Sequence, residues 1–119
     1  MKKTLVLGAS ENPARYANLA VRRLRAHGHP VVAVGRRTGA IMDVPIVKEW
    51  PEGEDVDTVT LYMNPKNQEQ YYDQILQLHP RRIIFNPGTE NDILEEKANA
   101  AGIETTEACT LVLLSTGQF

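Results

Sequence analysis

The sequence predicts an α/β fold: a Rossmann-like, doubly wound parallel sheet of about five strands in the order 3-2-1-4-5, with helices on both faces. Three observations predict it. Short apolar runs at Thr4–Leu7, Val31–Val34, Val56–Tyr62, Arg82–Phe85 and Ile103–Thr106 are bounded by glycine, proline and asparagine. Segments between them carry apolar residues at helical spacing. The strands are continuously apolar rather than alternating, as strands covered on both faces are.

Each element follows from local chemistry. After the first strand, Asn12-Pro13 offers a helix cap with proline at the first helical position, where its missing N–H costs nothing. Ala17, Ala20, Val21 and Leu24 then fall on one face, Arg15, Arg22, Arg23 and Arg25 lie mostly off it, and Gly28 suits a left-handed stop. After the second strand, "GRRTGAIMDVPIVKEWPEGED" has no long periodicity and reads as an irregular excursion with one short strand at Ile46-Val47. Asn64-Pro65 repeats the cap-plus-proline start after the third strand, Tyr71, Ile75 and Leu78 mark that helix's inner face, and Pro80 ends it. Following "NPG", Thr89 with Asp92 three residues on is close to a capping box, and Gly102 stops the helix. Cys109 to Leu114 closes the chain with a last helical turn or two.

Composition bounds the function. The 119 residues fit one domain, 42% apolar and 24% charged. A net charge of −2 argues against a general nucleic-acid binder, which carries a basic surplus. The single cysteine excludes an internal disulfide and fits a reducing compartment. "MKKTLVLGAS" resembles a secretory leader, but its apolar run breaks at Ser10-Glu11-Asn12-Pro13. No stretch approaches the ~18 apolar residues of a membrane span. The expectation is a cytoplasmic protein with neither membrane nor nucleic-acid partner.

In such sheets ligands bind beyond the carboxyl ends of the strands. The loops there are "GASENP", "GRRTG", "YMNP" and "NPGTEN", rich in residues that admit close backbone approach. The first helix has no acid between Pro13 and Gly28 and carries Arg15 in its first turn, so it is the better seat for a phosphate than the helix with Glu90 and Asp92. Gly8, Ala9 and Ser10 would make the close turn. After the second strand, where an NAD site places an acid, the chain has Gly35-Arg36-Arg37. Arginines there suit a ribose phosphate monoester, as in coenzyme A or NADP.

The order "VLGAS…NP.RY", "VVAVGRR", "DTVTLYMNP", "IIFNPGTEN" and "GIETTEAC" resembles the small stand-alone CoA-binding domain proteins, which are similar to the first domain of the succinyl-CoA synthetase α subunit. The resemblance covers roughly Lys3 to Leu113. It implies a phosphate loop at Gly8, Ala9 and Ser10, with Asn12, Arg15 and Tyr16 beside it. The family's "VNPK" after the second strand is Val34-Gly35-Arg36-Arg37 here, so Arg37 supplies the lysine's charge and the Asn-Pro pair is lost. The remaining contacts correspond to Met63, Asn64 and Pro65, and to Asn86, Pro87 and Gly88. The family's late cysteine matches Cys109.

No residues point to catalysis. His27, His29 and His79 match no catalytic position of the ligase, whose phosphohistidine lies in a domain absent here, and His27 and His79 suit helix carboxyl ends. Cys109 reads as a small structural side chain, and no metal-spaced cluster or nucleophile elbow occurs. The acids around Trp50 read as a solvated loop. Three readings stay open: a CoA or acyl-CoA binding module, an NADP-binding module or oxidoreductase component, and a degenerate nucleotide fold acting through protein contacts. Exposed tyrosines would fit a weak homodimer, and a partner enzyme is the other expected association.

Overall fold

Four-residue apolar strands must be covered on both faces, and the chain supplies the covers by alternating strand and helix. The computed structural model describes residues 1–119. The elements are β1 (Thr4–Leu7), α1 (Tyr16–Ala26), β2 (Val31–Val34), β3 (Gly39–Ile41), β4 (Val44–Val47), β5 (Thr58–Leu61), α2 (Pro65–Gln68), α3 (Tyr72–Leu78), β6 (Arg82–Phe85), α4 (Asp92–Ala100), β7 (Glu104–Glu107) and α5 (Thr110–Ser115). One 3-10 turn, Glu69–Tyr71, joins α2 to α3 and breaks the single helix expected there.

The sheet has seven strands, not about five, in the order β3-β4-β2-β1-β5-β6-β7. Every pairing is parallel except β3 with β4. The five expected strands run 2-1-3-4-5 rather than 3-2-1-4-5, because the third lies on the other side of the first. The excursion after β2 folds into a hairpin whose returning strand, β4, pairs with β2 through Ala33–Ile46 and Val34–Val47. With that edge taken, the Val56–Tyr62 segment crosses to the far side of β1 and pairs Thr4–Leu7 with Thr58–Leu61. Order reverses between β2 and β5, with β1 as the central strand.

The pleat of β1 splits the core. Leu5 and Leu7 pack with Ile75, Leu94, Ala98 and Phe85 on the face covered by α3 and α4. Val6 packs with Ala17, Val21, Leu24 and Leu114 on the face covered by α1 and α5. Both faces are dry, as parallel sheets require.

Two helix starts differ from expectation. The first helix begins at Tyr16, not Pro13, because the Asn12 side chain closes an Asx turn on the Ala14 N–H at 3.0 Å instead of capping a helix. Thr89 does not cap α4; its hydroxyl is buried and donates to the Asn86 carbonyl at 2.8 Å. Asn91 caps instead, accepting from the Ile93 and Leu94 N–H groups. Asn64 does cap α2, accepting from the Asn67 N–H.

Candidate functional site

The carboxyl ends of β1, β2, β5 and β6 form one rim where strand order reverses, and the loops leaving them are held in close contact. Gly8 sits at φ +102°, and a Cβ there would stand 2.7 Å from the Tyr62 carbonyl oxygen. Only glycine lets the loop after β1 pass under the loop after β5. Gly35 is pressed the same way: a Cβ would meet the Ala9 carbonyl oxygen at 2.3 Å.

The expected phosphate loop uses some of its donors internally. The Gly8 and Ala9 N–H groups both bond the Val34 carbonyl, so these residues contribute closeness rather than donors. The N–H groups of Ser10, Glu11, Tyr16 and Ala17 have no partner in the chain. Ser10 is fixed from behind: the buried Asn18 side chain donates to its carbonyl at 2.9 Å and accepts from Arg22 at 2.8 Å. No acid occupies the first turn of α1. Unpaired amides at a helix start whose first turn carries no acid favour an anion, and the one carboxylate of the loop, Glu11, is engaged by the Ala40 N–H.

Arg15, Arg36 and Arg37 are exposed around this seat, and none takes part in an ion pair. Tyr16 is 73% exposed at the start of α1, an aromatic face open for stacking. It is the most exposed of the four tyrosines, since Tyr62, Tyr71 and Tyr72 are each partly covered.

On the other half of the rim, Met63 is half-buried while Pro87 and Gly88 are exposed, Gly88 at φ +92°. Asn86, expected among the ligand contacts, turns its side chain into the protein. Its side chain is buried and spends every bond inside the protein, donating to Thr60 Oγ1 and the Leu61 carbonyl and accepting from the Thr110 N–H. Asn12 and Asn64 are exposed, but their side-chain oxygens are occupied by Ala14 and Asn67.

Sequence reasoning missed Gln68. It is fully buried and donates to the Met63 and Thr89 carbonyls while accepting from Asn91, which ties the loop after β5 to the loop after β6. Its partners lie on separate loops, so no local pattern marks it.

Cys109 is half-buried beyond the end of β7, on the same rim and close to Tyr62. The Tyr62 hydroxyl is buried without a hydrogen-bond partner, and burial pushes its ionisation up to about 12. The neighbouring Thr60 and Thr110 hydroxyls offset only part of this because they bond each other at 2.8 Å. A neutral tyrosine is thus favoured in the native state. That contribution is whole below about pH 10 and declines as the unfolded chain begins to ionise, until the native pKa is reached. Tyr62→Phe should remove roughly 2–3 kcal/mol of the stability lost between pH 10 and 12, with little change at pH 7. Urea titrations of both proteins across that range check it. An identical alkaline decline in the variant rules the account out.

The histidines lie elsewhere. His27 Nδ1 contacts the Arg23 carbonyl and His79 Nε2 the Ala101 carbonyl, both at helix carboxyl ends. His29 packs its ring on Phe119. A cavity of about 640 Å³ lies at the opposite, amino-terminal edge of the sheet, lined by Lys3, Asp57, His79 and Arg81. Its arginine and lysine are already paired, Arg81 with Asp57 and Lys3 with Glu54, whereas the three arginines of the carboxyl rim are not. No helix is long and apolar enough to cross a membrane.

Comparison with known proteins agrees with the fold. An uncharacterized protein of known crystal structure is 55% identical over 100% of this chain and 98% of its own, with a TM-score of 0.97. A Thermus thermophilus protein, cell-free ID.343, is 24% identical over 99% of this chain and 90% of its own, with a TM-score of 0.87. The dinucleotide forming acetyl-coenzyme A synthetase 1 of Ca. Korarchaeum cryptofilum shares the fold at a TM-score of 0.72 and 17% identity, this chain matching 25% of its length. No curated protein matches significantly. The family model for the CoA binding domain matches residues 2–115, and the chain belongs to that family.

Proposed function

We propose that this chain is a small cytoplasmic module that binds coenzyme A or an acyl-CoA and has no catalytic machinery of its own. One observation carries the reading: Arg36 and Arg37 stand free of ion pairs beside a loop and helix start in which the N–H groups of Ser10, Glu11, Tyr16 and Ala17 are also free. The Ser10 and Glu11 amides and those opening α1 receive the pyrophosphate, with Arg15 adding charge. Gly8 and Ala9 let the backbone come close. Arg36 and Arg37 take the 3′-phosphate. The pantetheine arm leaves between Met63 and the Pro87-Gly88 turn, passing the Tyr62 and Cys109 side of the rim.

The arginine pair would equally suit the 2′-phosphate of NADP, so ligand identity needs a direct test. Thermal unfolding with coenzyme A, dephospho-CoA, NADP⁺, NAD⁺ and no ligand separates the possibilities. A ligand at a hundred times its dissociation constant adds about 2.7 kcal/mol, a midpoint shift of several degrees. A shift with coenzyme A that shrinks with dephospho-CoA is expected. A shift with NADP⁺ alone replaces the reading, and no shift with any ligand, in protein shown by native mass to be empty, leaves a domain that works through protein contacts.

A further inference from the structure

The two arginines are held from both ends by the loop they would serve. Arg36, Arg37 and Thr38 form a three-residue excursion bracketed by Gly35 and Gly39. At the first end, Gly35 lies against the Ala9 carbonyl. At the second, the Glu11 carboxylate accepts the Ala40 N–H at 3.0 Å and fills the space over Gly39, where a Cβ would stand 2.3 Å from the carboxyl carbon. Glu11 therefore reaches across 29 residues of sequence to fasten the start of β3 to the anion seat. It is the one hydrogen bond between that end of the excursion and the loop after β1.

A carboxylate in an anion-binding loop is otherwise a liability, since it repels the ligand. Its place is explained if it works as a strut. We infer that Glu11 is a positioning residue that fixes the Arg36-Arg37 excursion at the distance a ribose phosphate monoester needs, and so sets preference for the 3′-phosphorylated ligand. This rests on the coenzyme A reading above. Without the strut, both arginines must be ordered at the moment of binding, at a cost in side-chain and loop entropy.

The strut and the bare charge predict opposite results. If Glu11 only repels, Glu11→Ala and Glu11→Gln both tighten coenzyme A, and Gly39→Ala, which keeps the charge, does nothing. If Glu11 is a strut, Glu11→Gln keeps the acceptor and so keeps the parent's preference for coenzyme A over dephospho-CoA, even as loss of the charge tightens both ligands. Glu11→Ala removes the acceptor. Gly39→Ala displaces it with a methyl group, without straining the backbone because Gly39 is not at positive φ. The measurement is calorimetric titration of each protein with coenzyme A and with dephospho-CoA. The parent and Glu11→Gln should prefer coenzyme A by roughly tenfold or more. In Glu11→Ala and Gly39→Ala the preference should fall to about threefold or less, read as the ratio of the two dissociation constants within each protein. A parent that discriminates while both variants discriminate equally well overturns this inference alone. A parent that binds neither ligand overturns the coenzyme A reading and this inference with it.

Discussion

Asn86→Ala should destabilise the protein by about 3–5 kcal/mol, read as a lower urea midpoint at unchanged slope. The side chain is 2% exposed and makes three hydrogen bonds of 2.7 to 2.8 Å, two as donor and one as acceptor. It joins three elements that no covalent link brings together: the end of β6, the end of β5 and the start of α5. Truncation leaves the Leu61 carbonyl and the Thr110 N–H buried without partners, and each such group costs about 1–3 kcal/mol. Thr60 keeps one bond through the Thr110 hydroxyl at 2.8 Å, which bounds the loss. Asn86→Asp should recover only part, because a carboxylate still accepts from Thr110 but faces the Leu61 carbonyl as a second acceptor. A loss below about 1 kcal/mol in the alanine variant would mean that water replaces the amide, and the knot would not be structural.

That residue also marks where sequence reading stops. Asn86-Pro87-Gly88 reads as a ligand-facing turn because turn chemistry is local, and Pro87 and Gly88 do face outward. The side chain of Asn86 turns inward because the Thr110 N–H that donates to it is 24 residues away on α5, a contact no spacing rule encodes. The same limit explains β3 and β4. β3 has three residues and begins at Gly39, and β4 contains Pro45, features that demote a run as a strand. Their pairing is fixed tertiarily, by β2 on one side and Glu11 on the other. The parallel sheet, the two helical layers and the reversal of order were legible because β1, β2, β5 and β6 are short apolar runs at helix-length spacing. Placing the third strand needed the knowledge that β4 had already filled the edge of β2. At the rim, Gly8, Gly35, Arg15, Arg36 and Arg37 were legible as residue types suited to an anion. Which amides stay free was not, since Gly8 and Ala9 give theirs to Val34 through the fold itself.

Arg36→Ala combined with Arg37→Ala should leave the fold intact and remove most coenzyme A affinity. Both side chains are exposed and have no acidic partner, so their loss should change unliganded stability by no more than about 0.5 kcal/mol. Each hydrogen bond to a charged phosphate contributes about 1.5–3 kcal/mol, or roughly 10- to 150-fold in the dissociation constant. Adjacent side chains acting on one phosphate are not independent, so on this reading the pair should cost less than the sum of the single variants. Three readouts separate a specific monoester contact from general attraction. Dephospho-CoA should bind the parent and the double variant alike. Salt should weaken coenzyme A binding to the parent more than to the variant, because two of the charges that salt screens are gone. Arg37→Lys should rescue only part of the loss, since an ammonium cannot make the paired contacts of a guanidinium. If the double variant loses affinity equally for coenzyme A and dephospho-CoA, the arginines act on the pyrophosphate or through the field of the rim, and the 3′-phosphate must be held elsewhere.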